Sequence, residues 1–255
     1  MEDHRNYIDI TAYSFEEFVC FLFEHEITAG DSWYFNLEMV FDPAEVARHY
    51  VKLFRVPKFL RVTYTSPELE QGFWAAQSCA NDCSVSQLLR YDGLPFYAKE
   101  ECVRSMYDLF AQLFAYEPLD SAVYMWWDSL CYDWHCGNRM GKSGREEKKY
   151  DGRFFELMSR SGNRPEFWER YQLRDAGNQK QREEEDLRLQ EVMFQTLSRV
   201  LTLPQEHCQR AALHDLGHLH HPETPRLIGE FISSHLVLSE QLQEYALAAA
   251  RFKVL

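Results

Sequence analysis

The sequence predicts an all-α protein: an irregular or HEAT-like stack of antiparallel helix pairs, with room for one short strand near residues 33–41. Three observations lead there. Apolar residues recur at helical spacing through most of the chain, cap residues and prolines cut those stretches into helix-sized pieces, and a single stretch alternates with period two. With 255 residues, 45% hydrophobic and 15% aromatic, the chain can bury a sizeable core.

The elements follow in order. Ser14-Phe-Glu-Glu17 is a capping-box pattern, and Phe15, Phe18, Val19, Leu22 and Phe23 continue it, predicting a helix from Phe15 to His25. Trp33, Phe35, Leu37, Met39 and Phe41 alternate with Tyr34, Asn36 and Glu38; with no obvious partner, this is either a strand or an extended connector. Asp42-Pro43-Ala-Glu45 caps a helix whose inner face is Val46, Tyr50, Val51 and Phe54, ended by Pro57. Ser66-Pro67-Glu68 starts another, and Pro95 leads into a long one from Phe96 to Phe114. After Pro118 the run from Val123 to Trp134 reads as an aromatic helix ending near Gly137.

Composition then changes, dividing a single domain into a helical region 1–137, a polar basic insertion 138–182 and a helical region 183–255 that packs on the first. Residues 139–182 hold 12 Lys/Arg against 7 Asp/Glu, a net of +5; within the total of -13 this leaves -18 on the rest of the chain. Five glycines and few apolar residues predict that the insertion is partly mobile. An acidic body repels nucleic acid and anionic membranes, so the charge favours a basic protein partner. No stretch has the ~18 apolar residues of a membrane span, and the first residues lack a secretion-signal layout, which predicts a cytoplasmic protein. Its seven cysteines are expected as reduced, mostly buried thiols.

Helical structure resumes at Glu183 and runs through Leu201, and Pro204 opens the most patterned stretch of the chain. At 100° per residue Cys208, Ala212, Leu216 and Leu219 share one face, with His207, His214 and His218 on the opposite, outward one. Arg210-Ala-Ala-Leu-His-Asp-Leu-Gly-His-Leu219, a turn with Pro222-Glu223, then Leu227-Ile228 resembles the HEAT-like repeats of the phycobilisome-lyase type. Leu242 to Ala250 realigns with Cys208 to Ala212 at an offset of 34 residues. The resemblance covers the last quarter of the chain and implies a stack of helix pairs that holds a partner on one face.

Two constellations point to chemistry. His214 and His218 stand one helical turn apart with His221 at the following turn, so these imidazoles are the candidate ligands of a zinc ion. His214-Asp-Leu-Gly-His218 is similar to the His-Glu-x-x-His zinc-protease motif, with the shorter Asp215 at the base position. The second is Trp126-Trp127-Asp128, a candidate binding segment that resembles the Trp-Trp-Asp of the HEAT-like alkylpurine DNA glycosylases. The resemblance puts Cys131 where that family has its catalytic aspartate, and a thiol cannot stabilise a developing glycosyl cation. The function expected is therefore a non-catalytic helical protein-interaction module needing no cofactor. The alternatives are a glycosylase-related protein and a metal-dependent hydrolase built on the His214/His218 cluster.

Overall fold

Helices begin where the sequence supplies acceptors for their first N–H groups. In the computed structural model, which describes residues 6–27, 32–78, 80–91, 93–128, 130–131, 179–235 and 238–254, helix α1 spans Phe15–Phe23. Ser14 Oγ accepts the Glu17 N–H at 3.2 Å while the Glu17 carboxylate accepts the Ser14 N–H at 2.8 Å. Helix α2, Pro43–Arg55, is capped by Asp42, whose Oδ1 accepts from Ala44 and Glu45. A short α3 (Leu60–Thr63) is followed by α4 (Ser66–Gln77), where Glu68 takes the Thr65 N–H at 2.7 Å. After α5 (Val85–Leu88), α6 (Phe96–Leu109) passes into a wide π-turn over Phe110–Phe114. The C-terminal part holds α7 (Gln179–Leu201), α8 (Glu206–Leu219), α9 (Thr224–Ser234) and α10 (Glu240–Ala249).

Among the described residues the molecule is all-α apart from one two-stranded parallel sheet. The alternating stretch is a 3-10 turn over Trp33–Asn36 followed by strand β2, Leu37–Val40; its partner is β1, Asn6–Asp9, with Asn6 opposite Leu37. Of the two readings the alternation left open, the strand holds for its second half, Leu37–Val40. The four-residue Asn-Tyr-Ile-Asp partner is too short to show a period of its own.

Successive long helices pack on one another: α2 on α6, α6 on α7, α7 on α8, and α8 on both α9 and α10, while α1 lies on α4. Lys99 of α6, almost fully buried, pairs with Glu185 of α7 at 2.5 Å, so the joint between the two halves carries an ion pair as well as apolar contact. At the centre, the Trp126 ring meets Phe54, Phe73 and Phe114 edge-on, with centroids 5.5 to 5.7 Å apart. Such edge-to-face geometry adds to the burial of large rings.

Two expectations about boundaries change. Residues 121–127 form irregular turns, and helical geometry in this stretch begins only at Asp128. Both Trp126 and Trp127 are fully buried. The segment is surrounded by protein. Helix α7 already starts at Gln179, ahead of Glu183; the rest of the expected 138–182 insertion lies outside the described residues. Among the described residues no helix is long and apolar enough to cross a membrane.

Gly72 shows how tightly α1 and α4 meet. A Cβ there would collide with the ring of Phe23, which is itself stacked on Tyr64 and edge-on to Phe73. Gly72→Ala is expected to lower stability by about 1–3 kcal/mol through overpacking, despite alanine's better helix propensity. Urea denaturation of the two proteins measures the difference.

Candidate metal centre

The segment that carries Asp128 is fixed by a carboxylate from another helix. Glu70 of α4 reaches the turn at Ser121-Ala122, where its Oε1 accepts from the Ser121 N–H (3.0 Å), the Ser121 hydroxyl (2.7 Å) and the Ala122 N–H (3.0 Å). The same oxygen also takes the Trp74 indole N–H at 3.0 Å. From that anchor the chain makes a mixture of four- and three-residue turns, Met125 to Ser121, Trp126 to Val123, Asp128 to Met125 and Cys131 to Trp127. This winding turns Trp126 into the aromatic core and brings Tyr124 and Asp128 to α8.

Helix α8 is buried along nearly its whole circumference. The face with Cys208, Ala212, Leu216 and Leu219 is apolar and buried, as expected. The histidine face is not outward: the His214 side chain is 1% exposed and that of His218 is 15% exposed. The wheel gave the relative angles correctly and the environment wrongly, because α7 covers one side of α8 while α10 and the 121–131 segment cover the other. Gly217 belongs to this packing, since a Cβ there would lie 2.5 Å from Val254 Cγ2 near the C-terminus.

On the buried side Asp128 joins the two imidazoles. Its Oδ1 lies 3.5 Å from His214 Nε2 and 3.5 Å from His218 Nε2, and the three ligand atoms lie within 4.8 Å of one another. Ligands ~2.1 Å from a zinc ion at tetrahedral angles are ~3.4 Å apart, so the two Asp128 separations match that geometry. An octahedral ion with similar bonds would need ~3.0 Å.

The protonation of the cluster suits a cation. Burial, together with the nearby His214, holds His218 below the ordinary histidine range against the pull of Asp128, so the ring is neutral and offers a lone pair. Its contact with Asp128 is therefore not an ion pair. His214 Nε2 is buried and makes no hydrogen bond, while its Nδ1 lies 2.9 Å from the Tyr124 hydroxyl and 2.7 Å from that of Tyr245. A ring held at Nδ1 with Nε2 free is the arrangement of a metal-ligating histidine. Asp215, fully buried with neither oxygen hydrogen-bonded, is pushed well above the usual carboxylate range by burial and then by Asp128, and so is neutral. Burial above all keeps Cys131 a thiol rather than a nucleophile.

Of the residues singled out in sequence, the structure brings together His214, His218 and Asp128, and sets the others apart. His221 does not join the pair: α8 ends at His220 in left-handed geometry (φ 52°), which turns the next residue back over α7. There the His221 ring stacks on Phe194, its Nε2 meets Glu191 at 3.0 Å and its Nδ1 accepts the Glu223 N–H. Trp126 and Trp127 are fully buried in the core. His207 gives its Nε2 to the Phe114 carbonyl at the π-turn. Sequence reasoning missed Tyr124, Tyr245 and Glu70, which carry no motif; only the partial polarity of an aromatic segment pointed toward the first. Compared with family models, with curated proteins and with solved structures, the chain matches none.

Removing the Glu70 anchor exposes its role. Glu70→Ala strands buried N–H donors and is expected to cost about 2–4 kcal/mol, with Glu70→Gln milder. Thermal unfolding reads the loss, and tryptophan fluorescence shows whether the 121–131 segment has loosened.

Proposed function

We propose that this chain binds a divalent ion, zinc by preference, through Asp128, His214 and His218, and that it acts as a metal-dependent hydrolase. The observation that supports the reading is the convergence of one carboxylate and two imidazoles from segments distant in sequence, with His214 Nε2 buried and lacking any hydrogen bond. A buried polar atom without a partner is costly, and an ion at the centre of the triad removes that cost. The donor set of nitrogen and carboxylate oxygen suits zinc.

Three protein ligands leave a coordination position open, as catalytic rather than structural sites do. Exposure grades across the triad, from 1% at His214 through 15% at His218 to 32% at Asp128, so the open side is at Asp128. A zinc ion held there supplies Lewis acidity and lowers the pKa of water. The protein's own contribution is orientation. Tyr124 and Tyr245 fix the His214 ring, His218 is kept neutral, and the protonated Asp215 spares the site a second buried negative charge beside Asp128. The interaction-module reading draws on the acidic charge and the repeat-like pattern alone, and has no use for such a buried triad. The glycosylase reading draws on tryptophans that lie in the core.

Metal analysis and calorimetry of the full chain test this reading. The expected result is one zinc per chain, with affinity falling at least about 100-fold in Asp128→Asn and in His218→Ala. Hydrolysis of a simple ester such as p-nitrophenyl acetate is expected to require zinc and to be lost in Asp128→Asn. Absence of stoichiometric zinc in a folded protein would remove the proposal.

A further inference from the structure

Among the described residues, the non-glycine positions with left-handed backbone are His220 (φ 52°) and Phe252 (φ 56°). They are far apart in sequence and lie against each other: the two rings stack with centroids 4.4 Å apart and planes 15° apart. His220 ends α8, and Phe252 follows the end of α10. Left-handed backbone suits glycine, and a residue with a Cβ adopts it at a cost. Both helices therefore stop at a strained residue, and the strain brings one pair of rings together.

The stretch after α10 turns back over α8. The Phe252 N–H donates to the Ala249 carbonyl at 2.9 Å and the Lys253 N–H to that of Ala248 at 3.0 Å, a helix closure that most often has glycine where Phe252 stands. The turn delivers Val254 to Gly217, where its Cγ2 fills the space a Cβ would take. Two turns back on α10, the Tyr245 hydroxyl lies 2.7 Å from His214 Nδ1. From Tyr245 to Val254, then, this one stretch covers the His214 side of α8.

The cover is lightly held. The buried side chains of α10 are Leu242, Ala246 and Ala249, two of them no larger than a methyl group, so lifting the helix exposes little apolar area. Its polar links to α8 are few: the Ser239 hydroxyl to Glu206 at 3.1 Å, the Tyr245 hydroxyl to His214, and Arg210 over the Tyr245 ring. An element with few buried apolar contacts opens at a lower free energy than the whole fold.

We infer that α10 with residues 250–254 is a lid over His214, latched by the stack of Phe252 on His220 and by the seating of Val254 on Gly217. With the lid down, Tyr245 holds the His214 ring beside Asp128 and His218. With it up, the ring loses that hold and meets solvent. That the closed lid completes a metal centre rests on the reading above; the lid itself does not.

Hydrogen exchange of the full chain, treated with chelator, tests the lid. The amides of 242–253 are expected to exchange as one unit, at least about 10-fold faster than those of 211–219 in α8. Equal rates overturn the lid. His220→Ala and Phe252→Ala are each expected to speed exchange of 242–253 at least about 3-fold, and the two together by less than the product of the single effects. Effects that multiply in full overturn the stack as the latch. A reversible lock tests what the lid covers. A Cβ at Gly217 would lie 3.4 Å from Val254 Cβ, close to the ~3.5–4.5 Å that a disulfide spans, so Gly217→Cys with Val254→Cys can be closed by oxidation and reopened by reduction. Modification of His214 by diethyl pyrocarbonate, located by peptide mass spectrometry, is expected to be at least about 5-fold slower in the oxidised than in the reduced form of that variant. An unchanged rate overturns the lid as the cover of His214. All of these readouts are taken without zinc, so a chain that takes up no zinc removes the proposed function and leaves the lid standing.

Discussion

The arrangement of this molecule depends on one carboxylate oxygen. Glu70 Oε1 gathers the Ser121 and Ala122 N–H groups, the Ser121 hydroxyl and the Trp74 indole, and so decides where the chain turns after Pro118. Without that anchor the 121–131 segment has little regular hydrogen bonding to define it, since its turns mix four- and three-residue closures. With it, the aromatic residues enter the core on one side and Tyr124 and Asp128 face α8 on the other. A buried acceptor that satisfies several donors at once is an effective way to hold irregular backbone, because each stranded donor would cost about 1–3 kcal/mol.

Much of the fold was legible in the sequence, and the reasons are local. The Ser14/Glu17 box and the Asp42-Pro43 start are chemistry contained within four residues, and both form as written. Helical periodicity gave the apolar face of α8 for the same reason. What could not be read is what lies against each face. A helical wheel gives angles between side chains, and His214 and Cys208 were correctly placed on opposite sides; that both sides are buried is a property of the neighbours. Strand β1 was missed because four residues carry no period, and it takes its structure from pairing with β2.

The site was half legible. The spacing of His214 and His218 is set by one helical turn and is visible in the string. Asp128 was noticed only for its tryptophan neighbours, whose relevance turns out to be packing. Its approach to the histidines is made by tertiary structure, as is that of Tyr245. His221 looked like a ligand by proximity in sequence, but the left-handed residue before it reverses the chain. A polar residue next to a motif is thus weak grounds for membership in the site; a helical turn of spacing is stronger.

The triad has one more consequence, in the free energy of the fold itself. Its members come from segments that meet only when α8 packs against the 121–131 stretch, so the unfolded chain offers no comparable site. Any ion bound there is bound by the native state alone, and its binding free energy adds to the folding free energy: about 2.7 kcal/mol when the free ion is at 100 times its dissociation constant. The stability of this protein would then be a function of its ionic surroundings, and the joint between its two halves would tighten or relax as the supply of metal changes.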